Sequence, residues 1–328
     1  MSNFCQVKSL EVLRSFFSVN ALTESISKAY ALNVLSCQLI KGMLLDTYKI
    51  TSSEGLFIFR AYRSGKRTLE EILSEIDFLL HLHNAGIFVP IVVPKVDGTM
   101  VLTLAAPEGT RYALMLNYIE GKTLNCVPVP ENYYKYGRAI SNIHKFADTL
   151  SGSYSFTRPT LNLEFLLEIP LRMIREVLYY RVDDIEYLFL VSERIKRTIL
   201  SLSATSPVYG ICHGDVDCSN VLISTDGKIT PIDFDFFGLG WRTYDIASFY
   251  ADSRYLKLPL EARQAFLEGY LEIRLLTNEE KQALPTLEAI RHIWSLGLYA
   301  ENVNEWGSFR LYDEFISYML SLIRDLNV

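Results

Sequence analysis

One stretch constrains this chain more than any other: His213-Gly214-Asp215-Val216-Asp217-Cys218-Ser219-Asn220, followed by an apolar run, a turn, and a second apolar run ending at Ile232-Asp233-Phe234-Asp235. Val221-Leu222-Ile223 and Ile229-Thr230-Pro231-Ile232 have strand character. Asp226-Gly227 between them is the dipeptide that most favours a two-residue hairpin turn, whose central residues both need positive φ. With those two residues as the loop, opposed residue numbers sum to 453, which sets Asn220 opposite Asp233. Opposed side chains have Cβ atoms about 5 Å apart, so an amide oxygen and a carboxylate there can share one hard cation such as Mg²⁺. Asp215 enters from the loop just upstream, where a carboxylate outside the ion's shell can take the proton of an attacking hydroxyl. The pattern reads as a metal-dependent phosphoryl-transfer site. The plainer alternative is that Asp and Asn here only form turns, which both residues favour. Pro231, lacking an N–H, implies an unpaired edge on its side of the hairpin.

These residues resemble the catalytic segment of the aminoglycoside phosphotransferase and choline kinase-like family, relatives of the protein kinases, in which His-Gly-Asp, a loop, Asn and a later Ile-Asp-Phe recur at this spacing. The resemblance implies ATP, or alternatively GTP, as phosphate donor, with Mg²⁺. It implies Asp215 as catalytic residue and Asn220 and Asp233 as metal ligands. It also implies an α+β, bilobal protein-kinase-like fold, with a small antiparallel β-sheet N-lobe and a mostly helical C-lobe. Asp217-Cys218-Ser219 departs from the family's usual His-Pro-Gly-like wording, on the acceptor side of the loop.

Composition narrows the partners. A net charge of −6 lacks the clustered basic face that phosphate backbones call for, so no nucleic-acid partner is expected. No apolar run reaches the roughly 18 residues of a membrane span. Lys8, Glu11 and Arg14 interrupt any signal-peptide core, so a cytoplasmic chain with no membrane contact is expected. The cysteines, Cys5, Cys37, Cys126, Cys212 and Cys218, are odd in number and form no Cys-x-x-Cys pair, so they are expected as reduced thiols.

In chain order, Val7, Leu10, Leu13, Phe16 and Phe17 have helical spacing and predict an amphipathic helix over 7–17. Strand-like runs follow at 38–40, 45–50 and 56–62, broken by Lys41-Gly42 and Ser52-Ser53-Glu54-Gly55. The helix at about 69–84 carries its apolar stripe on Leu69, Ile72, Leu73, Ile76, Leu79 and Leu80. Glu75 falls between that stripe and the flanking Phe78 and Leu82, turned towards protein. Arg60, in an apolar strand, is an expensive place for a cation without a partner. Arg60 and Glu75 resemble the strand Lys and helix Glu pair that holds nucleotide phosphates in kinases; a purely structural pair is the alternative. Gly86 should end the helix, Ile91-Val92-Val93 lie between two prolines, and strands are expected at 99–104 and 111–118. By the resemblance, the backbone at Tyr118 and Ile119 is the hinge that reads adenine, dividing lobes 1–118 and 119–328. Helical periodicity follows at 134–146, 162–175, 183–202, 260–275, 279–298 and 309–327.

Several residues carry two readings. His213 is expected to hold the loop through backbone hydrogen bonds. Asp235 either binds a second cation or faces solvent. Asp217 is expected on the acceptor side or in solvent, Asp245 as a helix cap that braces the loop, and Cys212 and Cys218 as packing residues. Glu301, Glu305 and Asp313, with Trp294, Tyr299 and Trp306, form either a pocket for a cationic ligand or a solvated helix end. The expected activity is transfer of the γ-phosphate to a hydroxyl of a small molecule, an aminoglycoside-, choline- or homoserine-like acceptor. A protein Ser/Thr kinase and a catalytically silent nucleotide-binding pseudokinase are the alternatives. The oligomeric state is not legible in the sequence.

Overall fold

The structure, a computed structural model, describes residues 10–150 and 156–328. The chain divides into two compact units, Met1–Leu73 with Ile91–Tyr118, and Ser74–Pro90 with Ile119–Val328.

In the first unit, helix α1 (Val19–Tyr30) precedes three strands joined by short turns: β1 (Val34–Gly42), β2 (Leu45–Ser52) and β3 (Gly55–Tyr62). Their β-branched and aromatic residues at alternate positions suit a half-buried pleat, and β2 alternates buried with partly exposed side chains. Helix α2 (Leu69–Asn84) follows. Beyond it come β4 (Val92–Val93), β5 (Leu102–Ala106) and β6 (Gly109–Asn117). The antiparallel sheet has the order β1-β2-β3-β6-β4, with β5 pairing β6. Leu22, Ile26 and Tyr30 of α1 meet Tyr48, Ile50, Phe59 and Met115 of the sheet in one buried cluster. Each such side chain contributes about 1.5–3 kcal/mol on burial.

The helix expected over 7–17 is not formed in its described part: residues 10–18 are non-helical and α1 starts at Val19, while 7–9 lie outside the described residues. Tertiary partners take the polar groups that a helix would use. Ser15 N and Oγ donate to Glu108 at 3.3 and 2.7 Å, and Ser15 O accepts from Arg111 Nη1 at 3.1 Å. Arg14 and Arg111 each reach Asp46 at 2.7 Å, with Phe16 and Phe17 stacked on the two guanidinium groups. Asp46 and Arg111 are both fully buried.

The division between units falls inside α2, whose C-terminal half belongs to the second unit. Gly86, at φ 78°, closes it with Ile87 N donating to Leu82 O, the left-handed cap expected there. The second unit continues with β7 (Lys122–Thr123), α3 (Pro130–Ala147) and a π-helical turn at Glu164–Glu168 that opens α4 (Ile169–Val177). Next come α5 (Val182–Leu200), β8 (Tyr209–Cys212), β9 (Val221–Ile223), β10 (Ile229–Pro231) and β11 (Gly238–Trp241). Helices α6 (Thr243–Tyr255), α7 (Leu260–Leu271), α8 (Asn278–Glu301), α9 (Val303–Trp306) and α10 (Asp313–Arg324) complete it. α8 is the spine. It opens with a capping box between Thr277 and Glu280 and packs against α4, α5, α6 and α10. Among the described residues no helix is long and apolar enough to cross a membrane.

Candidate active site

The stretch that opens the sequence argument runs between β8 and β9. Asp245, at the start of α6, anchors it: its buried carboxylate accepts His213 N at 2.7 Å and Gly214 N at 2.8 Å, and meets His144 Nε2 at 2.8 Å. Burial works against this charge, but the hydrogen bond from His144 and the loop N–H groups outweigh it, and the carboxyl is held below the usual range. Asp245 therefore braces the loop, as expected. It does not cap α6, whose N-terminus has no side-chain cap. Both nitrogens of His144 are used, the other by Tyr270 Oη at 2.8 Å. Gly214 has φ 81°, and a Cβ there would run into the Phe236 carbonyl, so only glycine serves. His213 accepts Asp215 N at Nδ1 and donates from Nε2 to Ile232 O at 3.1 Å, fixing the loop to the return strand as expected.

Asp215 sits at the loop's tip with a side chain 16% exposed. Its Oδ1 pairs with Arg291 of α8, which also donates to Gly214 O at 3.4 Å; its Oδ2 accepts Asn220 Nδ2 at 2.7 Å. That amide also reaches Asp215 O at 3.0 Å, and no hydrogen bond among the described residues uses Asn220 Oδ1. Asp217 shapes the turn, its Oδ1 accepting Ser219 N, Ser219 Oγ and Asn220 N at 2.7, 2.7 and 2.9 Å. Burial, with Asp215 and Asp252 nearby, pushes the Asp217 carboxyl up to about 7. Cys212 and Cys218 are buried, and burial pushes both thiols up, away from reactivity. The described cysteines are unbridged.

The hairpin corrects the expected register. Ile223 pairs Ile229 and Val221 pairs Pro231, so opposed numbers sum to 452, and Asn220 lies opposite Ile232, whose N–H donates to Asn220 O at 2.9 Å. The loop has three residues. Gly227 is left-handed (φ 75°) and Asp226 is not, while Ser224 Oγ reaches Asp226 and takes the Lys228 N–H at 3.0 Å. A type I turn with a following left-handed glycine replaces the two-residue turn. β10 is an edge of its three-stranded sheet, so Pro231 sits where its missing N–H does no harm. Asp233 follows Ile232 with φ 65° and ψ 65°, a left-handed conformation that is strained for a residue with a side chain.

The remaining expected residues lie as follows. Arg60 is buried on β3 of the first unit, its guanidinium 5.6 Å from the Tyr62 ring. Glu75 is fully buried on α2, with Arg158 Nη1 at 3.8 Å. Arg158 also donates to the carbonyls of Phe234 and Phe237, at 3.1 and 3.2 Å, and to that of Asp235. Asp235 is buried beside this guanidinium, at 4.0 Å, so it does not face solvent. Tyr118 donates its N–H to Leu56 O, and the chain passes between units from Tyr118 to Ile119. Tyr299 lines a cavity with Asp217, and Trp294 stacks on Arg291 at 4.6 Å. Asp313 instead pairs with Arg181 at 3.2 Å. Arg291, Arg158 and Asp252 were not foreseen. For Arg291 a signal existed: like Arg60, it is a cation in an apolar run, between Ile290 and Ile293-Trp294. Arg158, in a loop, carried none.

A profile of the Phosphotransferase enzyme family matches residues 37–284. The amicoumacin kinase of Bacillus subtilis (strain 168) is 25% identical over 265 residues, covering 76% of each chain. An uncharacterized protein of Deinococcus radiodurans is 32% identical over 325 residues, covering 97% of this chain and 92% of its own. Among solved structures, an amicoumacin kinase in complex with AMP-PNP, Ca²⁺ and Ami superposes with a TM-score of 0.77 at 17% identity, covering 94% of this chain and 93% of that one. The fold is the protein-kinase-like one, the catalytic segment lies within the matched stretch, and the chain belongs to the Phosphotransferase enzyme family and is a kinase.

Proposed function

We propose that this kinase transfers the γ-phosphate of ATP to a hydroxyl of a small molecule, with Mg²⁺ and with GTP as an alternative donor. The observation that carries the reading is the arrangement at Asp215. Its carboxylate is oriented by Arg291 and the Asn220 amide at the tip of a loop pinned by Asp245. Asp215 then receives the proton of the acceptor hydroxyl. Asn220 and Asp233 suit a hard cation. The Asn220 amide spends its N–H groups on Asp215 and leaves Oδ1 as an oxygen donor, and Asp233 keeps a strained backbone that a merely structural turn would not need. A bound Mg²⁺ would neutralise phosphate charge there. Arg60, Glu75 and the backbone at Tyr118 and Ile119 are proposed as nucleotide-binding residues, on the resemblance, with lobes divided at 118/119. The named relative and the neighbour bound to AMP-PNP and Ca²⁺ support a small-molecule acceptor, a nucleotide and a divalent ion.

The test is thermal stabilisation by ATP, GTP and ADP with and without Mg²⁺, for the wild type beside Asp233→Ala. A ligand at 100 times its Kd adds about 2.7 kcal/mol to stability. A shift that needs both Mg²⁺ and Asp233 is expected; no shift with any nucleotide would refute the proposal.

A further inference from the structure

The Arg158 side chain has no exposure, a state that a cation tolerates only when its surroundings neutralise it and use its donors. It belongs to a strap, residues 156–161, that runs along the segment leaving Asp233. Thr157 N donates to Ser74 Oγ of α2 at 2.8 Å. Leu161 N donates to Leu239 O at 2.6 Å, beside a parallel bridge from Leu161 to Gly240. Between those two anchors the Arg158 guanidinium donates to the carbonyls of Phe234, Asp235 and Phe237. All three residues are buried, and they make up the single 3-10 turn after Asp233, Phe234–Phe236, and its C-cap. The guanidinium also lies 4.7 Å from the centre of the Phe237 ring, which Phe78 of α2 and Phe156 stack upon. The carboxylates of Glu75 and Asp235 stand 3.8 and 4.0 Å from it. Every one of these residues belongs to the second unit.

We propose that Arg158 is a positioning residue for Asp233, holding the backbone that aims its carboxylate at the divalent ion. The inference rests on the metal role proposed above for Asn220 and Asp233, and adds to it a residue that touches neither ion nor substrate. Asp233 has φ 65° and ψ 65°, a conformation that persists only where both flanks over-determine it. The upstream flank is held by Asn220 O, which accepts Ile232 N at 2.9 Å, and by His213 Nε2, which donates to Ile232 O at 3.1 Å. The downstream flank is held by Arg158. Carbonyls at the end of a helical turn lack partners inside it, and one cation collects three of them here. Without that donor the buried carbonyls are left unsatisfied, so the turn relaxes and Asp233 returns to a backbone region ordinary for a residue with a side chain. Its carboxylate is then no longer aimed. Arginine suits this place better than lysine, because its planar fork presents five N–H donors in fixed directions, whereas an ammonium has three donors on one atom.

The readout is how far Mg²⁺ tightens AMP-PNP: the ratio of its Kd without and with saturating Mg²⁺, measured on the full chain by calorimetry. The ratio reports the seat of the ion apart from the nucleotide's other contacts, and it needs no acceptor. Arg158→Lys keeps the charge and breaks the fork. It should cut the ratio by about tenfold or more, towards the value for Asp233→Ala, while the Kd without Mg²⁺ stays within about twofold of wild type. Gly238→Ala keeps every charge but adds a methyl group that runs into Pro159 O, prising the strap from the segment. It should lower the ratio in the same sense, and it decides the matter should Arg158→Lys fail to fold. A ratio unchanged in the folded variants, or a Kd weakened equally with and without Mg²⁺, overturns the proposal, since Arg158 would then only hold the chain together. If Mg²⁺ does not tighten AMP-PNP in the wild type, the metal role of Asn220 and Asp233 falls and this proposal falls with it. That outcome is read from the wild type alone, so the two failures are told apart.

Discussion

Two acidic residues, Asp46 in the first unit and Asp215 in the second, are each met by arginine, and the resemblance ends there. Asp46 has no exposure and shares its two oxygens between Arg14 and Arg111, with aromatic rings closing over both cations. Asp215 keeps some exposure and has one arginine and one neutral amide. A carboxylate fully matched by charge and sealed from water can only hold the chain together. One that is oriented but left reachable can exchange a proton with something that arrives.

The largest expected effect breaks the second case alone. Asp215→Asn preserves shape but offers one acceptor oxygen to two donors, Arg291 and the Asn220 amide, and leaves the buried Arg291 cation without its carboxylate, so melting temperature should fall while the chain still folds. Turnover should fall by about 10²–10⁴-fold, the range that a positioned general base contributes. Nucleotide-induced stabilisation should stay. Unchanged turnover would remove Asp215 from the chemistry.

The mirror experiment is Asp46→Ala, which strands Arg111 as a buried charge. It should cost about 3–5 kcal/mol in denaturant unfolding, with turnover per folded molecule nearly unchanged. The double variant Asp46→Leu/Arg111→Met should recover much of that loss, since a well-packed apolar pair often equals a buried ion pair. If the double variant is no better than the single, the knot matters for more than its charge balance.

The contrast also explains what the sequence could reveal. Features set by neighbours along the chain were legible: the first three strands, the glycine cap after α2, and the loop from His213 to Asn220, where glycine, turn-forming Asp and return strand lie within about twenty residues. The hairpin register was missed by one residue because Ser224, outside the Asp-Gly signal, captured the Lys228 N–H. The non-helical segment before α1 was missed for a larger reason. Arg14 and Ser15 are claimed by Asp46, Glu108 and Arg111, 32 to 96 residues away, and no local periodicity can report such partners. Arg291 is intermediate, since its helix was legible and its buried cation visible, but not that Asp215 would be the acid to meet it.

The smallest expected effect sharpens the comparison by pH. The knot around Asp46 contains no histidine, whereas the cavity wall contains His292, whose imidazole is lowered to about 3 by burial and by the charges of Arg254 and Arg291. An ordinary histidine titrates near 6.5, so the unfolded chain binds a proton that the folded chain refuses. The stability this withholds is absent above that value and grows as a loss while pH falls towards 3. His144, also lowered, acts in the same sense, and Asp217, raised, in the opposite one as it gains its proton near neutrality. Comparing the wild type with His292→Gln cancels both contributions. The difference in melting temperature between the two should change steadily in favour of the variant from pH 7.5 to 5. A constant difference across that range would mean that His292 takes up its proton as readily in the folded protein as in the unfolded chain.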